Sequence, residues 1–188
     1  MKKTLNGVLA ALMILSLLAG TAFAAETEDF RVIATEACEL RGEPGSDGEV
    51  LGTLLADMDA LYMCETAIDD QGVAWYYVDL GSAPGWVSSE FVEFVALEEG
   101  SAGCYVDLHG VNIIEATGGD SNIRTNPDRE AEIVGLLKQG ETAVYAGQSY
   151  LDYRGVRWDF VEFEDANGEG KDGWISSMYT SAKALPAE

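Results

Sequence analysis

Apolar and polar residues alternate along this chain in short stretches, with a period near two rather than the 3.6 of a helix. Residues 31–35 are short and β-branched, and 59–64, 74–80 and 86–94 read as strands. In the second half the matching stretches are 142–146, 157–164 and 174–179. Turn-forming clusters separate them: Glu43-Pro44-Gly45, Asp69-Asp70-Gln71-Gly72, Asn126-Pro127 and Asn167-Gly168. Beyond the first 24 residues no convincing amphipathic helix is found. Short strands punctuated by turns predict an all-β chain, as a sandwich or as small barrels that leave no exposed sheet edge.

The pattern occurs twice. Leu40-Arg41-Gly42-Glu43-Pro44 returns as Ile123-Arg124-Thr125-Asn126-Pro127, and Gly72-Val73-Ala74-Trp75 as Gly155-Val156-Arg157-Trp158, both offset by 83 residues. Glu49-Val50-Leu51-Gly52-Thr53-Leu54 returns as Glu132-Ile133-Val134-Gly135-Leu136-Leu137 at the same offset. After a longer loop, Gly85-Trp86-Val87-Ser88-Ser89 returns as Gly173-Trp174-Ile175-Ser176-Ser177. The period is too long for a solenoid unit and suits a small domain. The expected organisation is a first domain over 30–96, a linker over 97–110 and a second domain over 111–182. The repeated apolar pairs Leu40/Ile123, Val50/Ile133, Leu54/Leu137, Val78/Val161 and Val87/Ile175 are the expected core. Gly52 and Gly135 are expected where backbone approaches too closely for a Cβ.

Composition adds location. Lys2 and Lys3, an apolar run from Val8 to Gly20 and Ala22-Phe23-Ala24 have the form of a secretory signal peptide over 1–24, cut before Ala25. No later stretch is apolar enough to span a membrane, so a secreted, extracellular or wall-associated protein is expected. Loss of the leader takes the formal charge from −22 to about −24. Such a surface repels nucleic acid, whose binding depends on Lys and Arg, and favours cationic groups. The three cysteines all follow the leader. Cys38 and Cys64 have Ser121 and Gly147 as counterparts, and their joint absence from the second copy points to a Cys38–Cys64 disulfide. Cys104 is then left over, open to an intermolecular bridge and a Cys104-linked dimer, or to a free thiol.

The run Asn122-Ile123-Arg124-Thr125-Asn126-Pro127, then 133–141 with Gly135 and Gly140, then Trp158 and Gly173-Trp174-Ile175, resembles the bacterial SH3-like (SH3b) domain. The second copy matches nearly every part of that pattern. The first departs from it with Glu39 in place of Asn and Asp57 in place of Gly. The resemblance implies two small β-barrels in tandem. It also implies recognition of the cell wall, often of the peptide part of peptidoglycan.

Catalytic signals are sparse. The single His, His109, lies near Cys104, but nothing in the sequence supplies a third, orienting group. Metal ligands do not cluster at zinc spacing. Asp165-Ala166-Asn167-Gly168-Glu169-Gly170 has the start of a calcium loop, yet Ser176 stands where the bidentate Glu is required, so a hairpin turn is expected. The expectation is therefore no enzyme and no cofactor. Aromatic residues beside carboxylates are the candidate binding surface, a groove for a peptide bearing a cationic group. The candidates are Trp75, Tyr76 and Asp79 in the first copy and Tyr153, Trp158 and Asp159 in the second. The expected partner is peptidoglycan or, on a rival reading, another secreted protein bound by an extracellular interaction or sensor module.

Overall fold

The computed structural model describes residues 29–165 and 167–184. The leader expected over 1–24 lies outside them. The described residues form strands and no helix, and none of their segments is a helix long and apolar enough to cross a membrane.

The first half holds β1 (Arg31–Ala34), β2 (Cys38–Arg41), β3 (Val50–Leu54), β4 (Asp59–Ile68), β5 (Ala74–Asp79), β6 (Pro84–Ser88) and β7 (Val92–Phe94). Then comes β8 (Cys104–His109). The second half repeats the series as β9 (Ile113–Ala116), β10 (Ser121–Arg124), β11 (Ile133–Leu137), β12 (Thr142–Leu151), β13 (Arg157–Glu164), β14 (Gly170–Ser176) and β15 (Thr180–Lys183). Pairing runs β3-β2-β6-β5-β4-β1-β7 in the first half and β11-β10-β14-β13-β12-β9-β15 in the second. The topologies are therefore the same, and neither strip closes on itself into a barrel.

The segment expected as a linker carries the strand that joins the halves. β8 pairs in parallel with the end of β4 and antiparallel with the end of β12. Both partners are ten-residue strands broken by a bulge, between Tyr62 and Thr66 in β4 and between Tyr145 and Ser149 in β12. Ahead of the bulge each pairs with its own half, through β1 or β9. Beyond it each pairs with β8. The bulge needs one residue of positive φ, and the second half places Gly147 there (φ 77°). The first half places Cys64 there (φ 54°), a conformation uncommon for any side chain but glycine's.

That position decides the disulfide. Cys64 is bonded to Cys104 at the start of β8, with Cα atoms 6.5 Å apart, and Cys38 is a buried free thiol. The expected Cys38–Cys64 bridge is thus corrected, and so is the Cys104-linked dimer, since Cys104 is consumed within the chain. Comparison between copies could pair only residues inside the repeat, and β8 has no counterpart there. Closing a loop of 40 residues contributes about 4 kcal/mol in the chain-entropy view. Burial pushes the Cys38 thiol up, with Glu36 adding to the effect, so it stays protonated and unreactive.

Two cores flank the seam. Leu40, Leu54, Val78 and Val87 fill the first, and Ile123, Leu137, Val161 and Ile175 the second, as the repeated apolar pairs predict. On β8, Val106 enters the first core and Leu108 the second, while Tyr105, Asp107 and His109 face out. Leu151 of the second half completes the first core, and Ile68 of the first packs on the second. Val50 and Ile133, expected inside, are exposed at 49% and 52%. A register shift after Leu40 and after Ile123 explains it, because one extra residue, Leu51 on β3 or Val134 on β11, turns the position before it outward. The close-approach glycines are also different from those expected. A Cβ at Gly85 would lie 2.7 Å from Leu40 Cγ, and one at Gly173 2.7 Å from Ile123 Cγ2, whereas Gly52 has open space. Gly135 does meet the expectation, with Phe163 against it.

Candidate functional site

Each half carries one groove in the same place, floored by the conserved-offset tryptophan and walled by β2 or β10. The first, about 250 Å³, is lined by Trp75, Arg41, Glu39, Ser88, Glu90 and Phe91. The second, about 470 Å³, has Trp158, Arg124, Asn122, Ser176, Met178 and Tyr179 at the equivalent positions. Arg129 and Arg154 complete its wall.

A carboxylate clamps each tryptophan from the turn that precedes it. Asp69 Oδ1 accepts the backbone N–H groups of Gln71 and Val73, at 2.9 Å each, and Oδ2 accepts Trp75 Nε1–H at 2.9 Å. Asp152 repeats this on Arg154 N–H (2.9 Å), Val156 N–H (3.0 Å) and Trp158 Nε1–H (3.2 Å). Burial by itself pushes the Asp69 carboxyl up, but the donors from Trp75, Val73, Gln71 and Gly72 outweigh it and hold it below the usual range. An Asx turn thus orients the indole before any ligand arrives, which lowers the ordering cost of binding. The opposite wall is fixed the same way in both halves. Arg41 Nη1 donates to Gly48 O at 2.6 Å, and Arg124 Nη1 to Ala131 O at 2.7 Å.

The charges differ. Arg41 Nη2 is also paired with Glu39 Oε2, so the first groove's cation is neutralised within its own wall, and Glu90 adds a further carboxylate at the rim. In the second groove Asn122 replaces Glu39 and Met178 replaces Glu90. Among the described residues no carboxylate pairs with Arg124. Arg154 is held by Asp152, with Nη2 2.6 Å from Oδ2, and Arg129 by Glu130 at 3.5 Å on the open surface.

Of the residues expected from sequence, Trp75 and Trp158 line these grooves. Tyr76 and Asp159 are a repeat pair and lie on the opposite faces of β5 and β13, toward the seam. Tyr76 stacks with Phe94, ring centroids 4.9 Å apart, and Tyr62 at 5.7 Å. Asp159 is fully buried, accepting from Arg157 Nε at 2.9 Å, Arg157 Nη2 at 3.1 Å and Ser149 Oγ at 2.7 Å. Burial alone pushes the Arg157 guanidinium down, but Asp159 beside it more than compensates and holds it up. Asp79 caps the β5–β6 turn, accepting Gly81 N–H at 2.7 Å. Tyr153 sits under the Arg154 guanidinium, 5.3 Å away, and its carbonyl accepts Leu97 N–H. A groove with a carboxylate lining from Asp79 and Asp159 is therefore not what forms: Asp79 is spent on its own turn and Asp159 on the buried Arg157. Sequence reasoning missed Arg41/Arg124 and Asp69 as groove parts, although their offset of 83 residues marked them as a repeated set.

The remaining candidate sites resolve simply. Asp165 accepts Asn167 and Glu169 N–H and pairs with Lys171 at 2.6 Å, a hairpin turn whose carboxylate is already engaged. His109 meets Glu65 at 3.1 Å on the surface of β8 and β4. No group of three or more metal-ligand side chains converges among the described residues. A wide open trough of about 910 Å³ between β11, β12 and the β13–β14 hairpin has Glu141, Glu162 and Asp172 on its walls and belongs to the second half's longer hairpin.

No family model matches the chain. Over 151 residues it is 24% identical to a Bacillus subtilis (strain 168) protein named "Putative N-acetylmuramoyl-L-alanine amidase YrvJ", a match that covers 79% of this chain. The chain spans about a quarter of that relative's length, 26%. Among solved structures, NlpC2 from Trichomonas vaginalis is 12% identical, with a TM-score of 0.29, over 82% of this chain and 48% of that one. Ly7917, solved with the hydrolysing product of MDP, is 14% identical, with a TM-score of 0.32, over 80% and 62%. Superpositions of that quality carry no argument about this chain. The sequence match corrects the expectation of no enzyme, because the relative matched over most of this chain bears an enzyme's name. Counting His and Cys was too weak a ground for that expectation. Carboxylates abound here, and a catalytic arrangement depends on their placement rather than their number.

Proposed function

We propose that this chain serves peptidoglycan hydrolysis outside the cell, and that its two grooves hold the peptide part of the wall polymer. The two halves are read as SH3-like modules of the SH3b kind over 30–96 and 111–182, joined through 97–110. The observation that carries the reading is the repeated groove itself. A tryptophan clamped by an Asx turn faces an arginine anchored to the opposite wall, at the same positions in both halves. The amidase-named relative supplies the polymer class. Because β8 and the Cys64–Cys104 bond fix the halves to each other, the grooves engage at a set spacing, which raises avidity only for a ligand that presents two sites at that spacing.

The test is co-sedimentation of residues 25–188 with insoluble sacculi at low and moderate salt, alongside Trp75→Phe and Trp158→Phe. Phenylalanine keeps the buried ring but loses the clamp to Asp69 or Asp152. Pelleting of the parent that weakens in one or both variants, with unchanged circular dichroism, supports the reading; a parent that stays in solution at both salts ends it. Release of free amines in the same tubes, above that of buffer alone, assigns an amide-cleaving step to this chain. Its absence assigns that step to a partner.

A further inference from the structure

The formal charge is −22, and the chain has only six arginines. Three of them, Arg124, Arg129 and Arg154, line one groove. Across such an acidic protein the field repels anions, so a local cluster of this kind runs against the general surface. Comparison with the first groove sharpens the point. There, Arg41 has its own carboxylate, Glu39, and Ser46 stands where the second half has Arg129. In the second groove the matching acid is Asn122, an amide that can donate but carries no charge. Arg124 is half-buried, is aimed along the wall by Ala131 O, and among the described residues has no carboxylate within ion-pair distance.

Of the other carboxylates near the groove, Asp128 acts on Arg154 from the open surface, and none is bonded to Arg124. Asp152 lies beneath Arg154 and is 7% exposed, already shared with the Trp158 indole. Asp120 accepts Gln139 N–H at 2.9 Å. Glu130 meets Arg129 at 3.5 Å, but both side chains are open to water, where such pairs are worth little and exchange readily. The floor and far wall are apolar: Trp158, Val156, Met178 at 65% exposure and Tyr179 at 51%. A planar guanidinium without a counterion beside a clamped indole is suited to a carboxylate with a small apolar group next to it.

We infer that the second groove is a receptor for the carboxylate of a short peptide, seated on Arg124 and Arg129 above Trp158, and that the first groove is not, although it is built on the same frame. The inference deepens the wall reading and rests on it only for the origin of the peptide. A free carboxylate end of a wall peptide and a soluble peptide acid share this chemistry.

The probe is N-acetyl-alanyl-alanine, against its C-terminal amide, followed by the indole N–H resonances of the isotope-labelled protein. Trp75→Phe and Trp158→Phe assign those resonances. The acid should shift the Trp158 indole saturably, and the amide should bind at least about tenfold more weakly, the loss of one charge-assisted hydrogen bond. Arg129→Glu, a change at an exposed position that spares the fold, should weaken the acid by a similar factor, and Arg124→Gln by more. Arg41→Gln should leave the Trp158 shift unchanged. Equal binding of acid and amide overturns the inference, as do an equal response of Trp75 and Trp158 or the absence of any saturable shift. Sacculi separate the two readings. If the acid binds and sacculi do not, the receptor stands with soluble peptide as its source and the wall reading falls. If sacculi pellet as well with Arg129→Glu as without it and the acid fails to bind, the wall reading stands and the receptor falls.

Discussion

Trp75 and Trp158 occupy the same place in the two halves, on the same Asp clamp, yet the grooves above them differ in charge. The positions just after them, Tyr76 and Asp159, also coincide in the fold and differ in chemistry. In the first half the seam-facing position is an aromatic ring packed on Tyr62 and Phe94. In the second it is a buried carboxylate matched to Arg157. Duplication thus kept the backbone, the clamp and the wall arginine. Among the changes are those at the groove rim and on the surface where the halves meet, two places where identical modules would gain least from being alike. A seam between identical faces would set ring on ring or charge on like charge. Here Arg157 of one half and the Tyr62 and Tyr76 rings of the other line a cavity of about 50 Å³.

The seam pair offers the largest break. Asp159→Ala strands a buried guanidinium, and unfolding by denaturant should show a loss of about 3–5 kcal/mol. The double change Arg157→Met with Asp159→Leu should recover most of it, and a double loss equal to the sum of the two single losses would mean that the pair is not coupled. Next comes the staple. Cys104→Ser should lower stability by about 2–4 kcal/mol, while Cys38→Ser leaves the non-reducing peptide map joining Cys64 to Cys104 intact. A map that joins Cys38 to Cys64 would refute the pairing.

The clamps give a smaller and asymmetric effect. Asp69→Ala and Asp152→Ala each unpair an indole and two backbone donors, a cost of about 1–3 kcal/mol by denaturant titration. Asp152→Ala should be the costlier, because it also strands Arg154. The smallest effect separates the hairpins. Lys171 and two backbone donors hold the Asp165 carboxyl down to about 2. A depressed folded value means that this contribution is complete above the unfolded carboxyl range and fades as pH falls toward 2. Carboxyl carbon shifts should show Asp165 titrating well below the usual carboxylate range, and Lys171→Ala should move its midpoint upward.

Much of this was legible in the chain. Alternation marked about half of the strands, because side chains on a strand change face at every residue, a local property. The offset of 83 residues, shared by Arg41/Arg124, Asp69/Asp152 and Trp75/Trp158, marked the repeated groove. Alternation places Trp75 and Tyr76 on opposite faces of one strand, but it does not say which face holds the groove. Val50 and Ile133 read as core because nothing in their neighbours announces the bulge that turns them outward.

By itself the sequence determined the all-β character, the duplication and four of the residues that fill each core, since these rest on local periodicity and on self-comparison. Only the tertiary structure decided which cysteines pair, that residues 104–109 form the strand between the halves, and which acids are left to face a ligand. Those outcomes depend on groups far apart in the chain meeting at one point. A strand outside the repeat has no second copy to be read against, and a carboxylate looks the same in sequence whether water or a buried arginine holds it.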